Sequence, residues 1–198
     1  MGDTTVSVAT AAPSSESVRL CAPGLLLRPF EPADAVAFAA AVRESSRTVG
    51  RWMGWCTPDY TAQQALAWFD VCAKAWADGS ACEFGLFAEQ GGEFLGGGGL
   101  NLINRQHNYC NLGYWVRESR QRQGIASRAA GLLADYGLTR QGFTRIEIVV
   151  AEGNEPSHGV ARKAGAEWES LARNRLVVGG VPVAASMFAL LPRPVPAP

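Results

Sequence analysis

The chain has 198 residues, of which 47% are hydrophobic and 18% are charged. These values fit one packed domain and exclude a disordered protein. Lysine plus arginine and aspartate plus glutamate both number 18, so overall charge gives no support to nucleic-acid or membrane binding. The five cysteines show no C-x-x-C spacing, which argues against a zinc site or a disulfide framework and suits a reducing cytoplasm.

Both ends of the chain differ in composition from its centre. Residues 1–20 are rich in alanine, serine and threonine and lack the regions of a signal peptide, so we expect a disordered leader. Residues 192–198 are expected to form a Pro-rich tail without regular structure. Residues 21–191 are then a single domain, for which we expect no metal site and no membrane span.

The first half of this domain predicts one strand, two helices and three more strands. The first strand covers residues 24–30 and ends at a proline. A helix follows over residues 31–42, opened by the proline and carboxylates of its first turn. A second helix is capped by Thr61 and reaches about residue 77. Turn residues then separate strands at 82–88, 94–103 and 109–116, which form an antiparallel meander.

The second half predicts a helix, a strand, a helix and a hairpin. Apolar spacing and turn residues place them at 125–137, 145–150, 156–163, and 171–178 with 183–190. The order β-α-α-β-β-β-α-β-α-β-β excludes a pure alternation of strands and helices. We therefore expect an α/β (α+β) domain with a mixed, mostly antiparallel sheet of about seven strands and about four helices.

One strand-to-helix junction carries the residues of a phosphate site. The third meander strand ends at residue 116 and leads through a short turn into the helix that begins near Ile125. Backbone N–H groups at a helix start are unpaired and the helix dipole adds positive charge there, so this end can bind a pyrophosphate. Gly124 and Ala126 allow close approach, and Arg122 adds a charge. Taken alone, the string also fits an ordinary helix start.

Two segments together resemble the cofactor motifs of the GCN5-related N-acetyltransferase (GNAT) family. Residues 121–126 resemble its Gln/Arg-x-x-Gly-x-Gly/Ala loop, and residues 154–166 resemble its Asn-x-x-Ser…Val-Ala-x-Lys-x-Gly motif. Further segments resemble the RimJ/RimL branch, which acetylates the N-terminal amine of ribosomal proteins. They are Leu-Arg-Pro at 27–29, Trp-Met-Gly-Trp at 52–55, Asn-Leu-Gly-Tyr-Trp-Val at 111–116 and Arg-Asn-Arg-Leu at 173–176.

This resemblance implies a GNAT fold, splayed at the cofactor site, that uses acetyl-CoA as acetyl donor and no metal. Trp115 and Val116 would flank the splayed strand end that binds the pantetheine arm. Asn154 would contact the cofactor arm, and Ser157 would lie near the thioester sulfur. The pyrophosphate loop that the resemblance implies comprises Gln121, Arg122, Gln123, Gly124, Ile125, Ala126 and Ser127.

The implied reaction is direct attack of an amine on the thioester in a ternary complex. The developing oxyanion needs a hydrogen-bond donor, and the backbone amide of Val116 is the family's candidate. The departing thiolate also needs a donor, for which we select Ser157. The catalytic assignment therefore rests on two groups that the resemblance places at the cofactor.

The general base is the least determined part of this reaction. Many relatives carry glutamate and tyrosine where this chain has Asn111 and Ala161, which cannot act as base and acid, although an amide can orient a water. Glu83, Glu147 and His107 remain as candidate bases. We select Glu147, which alternates with apolar neighbours on its predicted strand.

The acceptor is expected to be a primary amine, with a protein N-terminal amine as the preferred acceptor. Trp52 and Trp55 fit the wall of the acceptor site, although both also fit ordinary core positions, and Asn111 is the third predicted substrate-binding residue. Acetylation of a small-molecule amine, an antibiotic or a metabolite, is the alternative. A non-catalytic acyl-CoA-binding module is another, favoured by Asn111 and Ala161. A monomer and a homodimer are both compatible with the sequence.

Overall fold

The computed structural model describes residues 18–192. The predicted leader and Pro-rich tail lie almost entirely outside this range. Val18 and Leu20 are buried in the core, so packing begins with the first described residue. Within this range, none of the helices combines the length and the apolar character needed to cross a bilayer.

One mixed sheet runs through the described part of the chain. Its strands are β1 (Leu20–Ala22), β2 (Leu25–Arg28), β3 (Cys82–Phe87), β4 (Phe94–Asn104), β5 (Tyr109–Val116), β6 (Arg145–Ala151), β7 (Glu167–Val178) and β8 (Val181–Leu190). Their order in the sheet is β1-β2-β3-β4-β5-β6-β8-β7. All neighbours pair antiparallel except β5 and β6, which run parallel. The predicted fold class is confirmed.

The sequence-based prediction has about seven strands and does not include β1. It pairs with β2 from Leu20↔Leu27 to Ala22↔Leu25, across a tight turn in which Gly24 has φ +73°. A strand of three residues is too short for an alternating pattern to be recognised. Its position in the sheet comes from pairing with β2 and not from a signal of its own.

Four α-helices flank the sheet: α1 (Ala35–Glu44), α2 (Ala62–Asp78), α3 (Ile125–Asp135) and α4 (Glu155–Lys163). Thr61 caps α2 as predicted. Its hydroxyl accepts the Gln64 backbone N–H at 3.2 Å, and the Gln64 side chain accepts the Thr61 N–H at 2.8 Å, so a capping box fixes the helix start. Gly79, with φ +70°, ends the helix.

The sheet separates two groups of buried side chains. Leu112 of β5 and Leu133 of α3 belong to the larger group. On the other face, α1 and α2 pack Phe38 and Phe69 into a second group that contains Trp115. Successive residues of a strand point to opposite faces, so β5 contributes to both groups. Full burial of each such side chain stabilises the fold by about 1.5–3 kcal/mol.

The two parallel strands at the centre of the sheet separate along their length. β5 and β6 pair from Tyr109↔Arg145 to Asn111↔Glu147. Beyond this point β5 continues beside β4 as far as Val116, and β6 continues beside β8 as far as Ala151. The result is a V-shaped opening between adjacent strand ends, from which the chain leads into α3 and α4. The predicted splay is therefore present.

Candidate active site

One edge of β5 faces the splay. Arg117 donates its N–H to the Leu95 carbonyl at 2.9 Å, so these two residues form a hydrogen-bonded pair of the antiparallel ladder. Hydrogen-bonded and non-hydrogen-bonded pairs alternate along such a ladder. The N–H groups of Tyr114 and Val116 therefore point away from β4 and into the opening. An extended ligand with amide groups can bind along this edge as an additional strand does.

The start of α3 lies at the same opening. Arg122 has φ +63° and Gly124, the N-cap residue, has φ +73°. A Cβ atom at Gly124 would meet no heavy atom within 4 Å, so the left-handed backbone, and not a lack of space, favours glycine here. The first helical bond runs from the Arg128 N–H to the Gly124 carbonyl at 3.1 Å. The N–H groups before Arg128 are left unpaired by the helix, and such groups can bind an anion.

A cleft of about 730 Å³ occupies the splay, and we call it the donor cleft. The end of β5, the first turns of α3 and α4, and the segment between α1 and α2 form its walls. Its basic lining residues are Arg47, Arg51, Arg120, Arg122 and Lys163, and among the described lining residues Glu155 is the one acid. Since the whole chain is neutral, this excess of positive charge is local and suits a polyphosphate.

The first turn of α4 forms the wall opposite β5. The Asn154 side chain caps this helix by accepting the Ser157 N–H at 3.3 Å. The Ser157 hydroxyl oxygen lies 2.9 Å from the Tyr114 hydroxyl oxygen, and either can donate. Asn154 thus positions Ser157, and Ser157 and Tyr114 form a hydroxyl pair at the cleft.

Tyr114 is a site residue that the sequence-based prediction did not select. Burial raises its pKa to about 12, while the hydrogen bond from Ser157 acts in the opposite direction. The phenol therefore keeps its proton at neutral pH and can donate a hydrogen bond. The sequence did contain a signal for Tyr114. Neighbouring residues of a strand point to opposite faces, so selecting Trp115 for one face of β5 leaves Tyr114 for the other.

An ion pair joins the loop before α3 to the end of α1. The Arg117 guanidinium binds the Glu44 carboxylate, which also accepts the Ser119 N–H at 2.7 Å. These contacts lower the pKa of Glu44 to about 2, and the hydrogen bond from Arg117 contributes most to this shift. Ser45 adds a further link by accepting the Glu118 N–H at 3.0 Å. We call these contacts the α1 clamp.

Gln121 and Gln123 differ in what they contact. The Gln121 amide donates to the Val116 carbonyl at 3.1 Å and to the Thr48 hydroxyl at 3.3 Å, so it braces the loop while it lines the donor cleft. Gln123 is exposed and donates to the Ser119 carbonyl at 3.5 Å. Of the seven predicted loop residues, Gln123 alone is absent from the described lining of the donor cleft.

A second cleft, of about 340 Å³, opens on the face of the sheet that carries α1 and α2, and we call it the acceptor cleft. Its described lining is Phe30, Phe38, Met53, Trp55, Tyr60, Trp68, Glu83, Gly97, Gly98, Asn101, Gly113, Tyr114 and Trp115. Met53, Tyr114 and Trp115 line both clefts. The two clefts therefore meet at the splayed end of β5.

Glu83 brings a carboxylate to the acceptor cleft. It accepts a hydrogen bond from the Asn101 side chain at 3.0 Å, and Asn101 in turn accepts one from the Asn111 side chain at 2.9 Å. Burial raises the pKa of Glu83, while the bond from Asn101 lowers it. Asn111, a predicted substrate-binding residue, thus acts through Asn101 and is not among the described lining of either cleft.

Two of the four consecutive glycines of β4 make room for side chains of the neighbouring strands. Gly97 is the cross-strand partner of Trp115, and a Cβ atom there would lie 2.7 Å from the indole nitrogen. Gly99 is the partner of Glu83, and a Cβ atom there would lie 2.3 Å from its carboxylate. The run therefore marks close approach by other groups and contributes to the acceptor side of the site.

Glu147, the predicted general base, is not brought to the site. Its carboxylate accepts a hydrogen bond from Arg145 at 2.9 Å, and it is not among the described lining of either cleft. The carboxylate at the acceptor cleft belongs to Glu83 instead. The two predicted tryptophans separate as well, because Trp52 lines the donor cleft and Trp55 the acceptor cleft.

The remaining predicted residues come together as the sequence suggests. Trp115, Val116, Ile125, Ala126, Ser127, Asn154 and Ser157 all line the donor cleft. Within residues 18–192, no group of three or more His, Cys, Asp and Glu side chains could hold a metal ion. The site therefore consists of a basic cleft, an aromatic cleft and two hydroxyl groups between them.

Comparison with known proteins gives this arrangement a family. The family described as "Acetyltransferase (GNAT) domain" matches residues 24–167. Among curated proteins, the "Putative ribosomal N-acetyltransferase YdaF" of Bacillus subtilis (strain 168) is 25% identical over 170 residues, which are 85% of this chain and 92% of that protein.

Solved structures agree with this match. A "putative ribosomal-protein-serine acetyltransferase" from Vibrio cholerae has a TM-score of 0.76 and 29% identity, covering 89% of this chain and 98% of that chain. RimJ of Mycobacterium smegmatis in complex with CoA-disulfide has a TM-score of 0.80 and 24% identity, covering 88% and 86%. The predicted resemblance to GNAT proteins of the RimJ/RimL type is confirmed, and the chain belongs to the GNAT acetyltransferase family.

Proposed function

We propose that this acetyltransferase moves the acetyl group of acetyl-CoA to a protein N-terminal amine by direct attack in a ternary complex. One observation carries the proposal: the basic donor cleft and the aromatic acceptor cleft meet at Tyr114 and Trp115 on the open edge of β5. A thioester held in one cleft and an amine held in the other would meet at this junction. Such positioning accounts for a large part of the barrier reduction in two-substrate reactions.

The residues of the donor cleft fit acetyl-CoA. The unpaired N–H groups at the start of α3 and the side chains of Arg122 and Lys163 match the charge of its phosphates. The free N–H groups of Tyr114 and Val116 match the amides of its pantetheine arm. CoA in the related RimJ structure supports the same donor.

The chemistry follows from the groups at the junction. The amine nitrogen forms a bond to the thioester carbonyl carbon, and the carbon–sulfur bond breaks. The Val116 N–H stabilises the oxygen charge that develops meanwhile. The leaving thiolate takes a proton from Ser157, and Tyr114 replaces that proton through the hydroxyl pair. The Tyr114 phenolate then regains a proton from solvent, and the proton taken from the amine is released to solvent, so that the cycle closes.

Glu83 accepts the proton that the amine loses, directly or through one water. Its raised pKa makes it a better base than an ordinary carboxylate. It takes the role for which sequence reasoning selected Glu147. With Glu83 as base and Tyr114 and Ser157 as donors, Asn111 and Ala161 no longer favour a non-catalytic acyl-CoA-binding module.

The acceptor assignment is supported by a curated relative whose name refers to ribosomal N-acetylation. The test is acetyl transfer from acetyl-CoA to a panel of peptides and small amines, followed by release of the CoA thiol. We expect turnover with peptide N-termini. Turnover with small amines alone would contradict the protein acceptor, and binding of acetyl-CoA without any turnover would support the non-catalytic alternative.

The same assay tests the base. Glu83→Gln should lower kcat by about 10²–10⁴-fold, the usual range for a lost general base, and leave acetyl-CoA affinity unchanged. Glu147→Gln is the matched control, because it removes the other candidate carboxylate, and it should leave the rate unchanged. The reverse pattern would return the role to Glu147.

A further inference from the structure

The acceptor cleft has an unusually aromatic wall. Seven of its described lining residues are aromatic, namely Phe30, Phe38, Trp55, Tyr60, Trp68, Tyr114 and Trp115. Trp55 and Trp68 are 43% and 38% exposed, so they stand where the cleft opens to solvent, and Trp115 is buried at its inner end. The cleft therefore has indole rings both at its solvent-exposed part and in its buried part.

Most of these rings contact one another, and the exceptions in the described contacts are Trp68 and Tyr114. Trp55 contacts Trp115 with ring centroids 5.5 Å apart and Tyr60 at 6.4 Å, and Phe38 contacts Trp115 at 5.6 Å. These contacts support Trp55, Tyr60, Phe38 and Trp115 without a bound acceptor. A rigid aromatic wall gains affinity from apolar groups by burial and from ammonium groups by cation–π attraction.

The charge of the acceptor cleft also favours some acceptors over others. Among its described lining residues Glu83 is the only charged side chain. No basic group is present in that set to pair with an anion. An ammonium group gains from Glu83, whereas a carboxylate close to the reacting amine would be buried beside a second carboxylate without compensation.

Three glycines form part of the lining of the cleft. Gly97, Gly98 and Gly113 line it, and its volume of about 340 Å³ lies at the lower end of the usual range for small ligands. A Cβ atom at Gly113 would have the Asn101 amide nitrogen as its nearest neighbour, at an ordinary 3.7 Å. Alanine therefore fits at this position and reduces the cleft by one methyl group.

We propose that the acceptor cleft selects a primary amine joined through a short chain to an aromatic or branched apolar group, and rejects an amine with a carboxylate nearby. This inference rests on the proposed acetyl transfer and names the chemical class of its acceptor. Two sources carry this chemistry. One is a protein whose first residue has a large apolar side chain, and the other is a free arylalkylamine.

A panel of matched acceptors tests the selection. The free amines are 2-phenylethylamine, ethanolamine and β-alanine, and the peptides are tripeptide amides that differ only in Phe, Ser or Asp as first residue. We expect kcat/KM to be at least tenfold higher for the apolar member of each set than for its polar and acidic members. Comparison of the two sets identifies the source, and equal rates within both sets would overturn the inference.

Two glycine-to-alanine variants show whether the cleft makes the selection. Gly113→Ala should lower kcat/KM for the bulky acceptors at least tenfold and change that for ethanolamine much less. Gly131→Ala is the control, because Gly131 lies in α3 outside the described lining of both clefts and a Cβ atom there meets nothing within 4 Å. It should leave all rates unchanged. An equal loss for all acceptors in Gly113→Ala would contradict selection by size.

A binding measurement separates this inference from the proposed function. Quenching of tryptophan fluorescence by 2-phenylethylamine reports occupancy of a cleft with three indoles whether or not acetyl transfer follows. Saturable quenching that Gly113→Ala weakens, without turnover of any amine, would support the cleft's selectivity and contradict the transferase. Turnover of polar amines with no quenching by 2-phenylethylamine would support the transferase and contradict the cleft's selectivity.

Discussion

Tyr114 and Ser157 show how two residues distant in sequence form one functional unit. Their hydroxyl oxygens lie 2.9 Å apart, at the meeting point of β5 and α4. The pKa of Tyr114, about 12, keeps the phenol protonated throughout the neutral range. The pair therefore holds a proton at the place where the proposed reaction creates a thiolate.

The first prediction concerns this pair. Tyr114→Phe should lower kcat by ~10–10²-fold with little change in acetyl-CoA affinity, because a proton donor is lost and the ring is kept. Ser157→Ala should lower kcat at least as much. Since Tyr114 acts through Ser157, the double variant should be no slower than Ser157→Ala. Multiplied losses in single-turnover measurements would show that the hydroxyls act independently.

The second prediction is the pH dependence given by Glu83. A base must be deprotonated to act, so kcat/KM should fall as pH falls through the raised pKa of Glu83. In Glu83→Gln, this fall of kcat/KM at low pH should be absent. Ionisation of the amine acceptor affects both enzymes equally, so the ratio of their rates isolates Glu83. A ratio that does not change with pH would contradict its role as base.

At the scale of single elements, the N-terminus of α3 is the part of the donor cleft most directly related to phosphate binding. Its N-cap, Gly124, has a left-handed backbone and open space around its Cα. Asparagine and aspartate tolerate this backbone better than other side chains. They have almost the same shape, so a comparison of the two isolates charge.

The third prediction uses this comparison. Gly124→Asp should weaken acetyl-CoA binding at least tenfold relative to Gly124→Asn, because only the carboxylate repels the phosphates. Titration calorimetry at low and high salt measures the effect, and the difference should shrink as salt screens the charges. Equal affinities of two folded variants would remove α3 from the proposed phosphate site.

The α1 clamp connects the same loop to α1. Its carboxylate, Glu44, has a folded-state pKa of about 2 against an ordinary 4.5. The pair with Arg117 therefore contributes its full stability above pH 4.5, and this contribution is lost as pH falls from 4.5 towards 2. Because the pair is partly exposed, its contribution is reduced by solvent screening.

The fourth prediction follows from this linkage. Glu44→Gln should lower the free energy of unfolding by about 1 kcal/mol at pH 7, and by about half as much or less at pH 3. Thermal melts across this range measure it, with Glu167→Gln at an exposed position of β7 as the control for one lost charge. A deficit that persists unchanged at pH 3 would show that the carboxylate's charge is not the cause.

For the whole molecule, the strands and helices whose ends are marked by nearby turn or capping residues could be predicted from the sequence. β5 and the start of α3 have the predicted bounds, because turn residues and Gly124 mark them in the sequence. These same elements form much of the donor cleft, and nearly all of the residues predicted to bind the cofactor line it. Local sequence therefore contains most of the information about cofactor binding.

The acceptor side depends on pairing between distant strands and was not predictable to the same extent. Glu83 reaches the cleft because β3 places it beside Gly99, which has no side chain to block it. Glu147 has an equally good alternating pattern, but Arg145 holds its carboxylate outside both clefts. The strand order and register of the sheet, together with the contact to Arg145, distinguish these two residues, and a single sequence gives neither the order nor the register.

The central claim is that the splay between β5 and β6 binds acetyl-CoA. The most direct measurement is isothermal titration calorimetry of the purified protein with acetyl-CoA, with free CoA as the comparison. We predict saturable binding of both at one site, with a Kd on the order of micromolar. No detectable heat of binding for either ligand, from protein shown to be folded, would contradict the donor site and the function proposed from it.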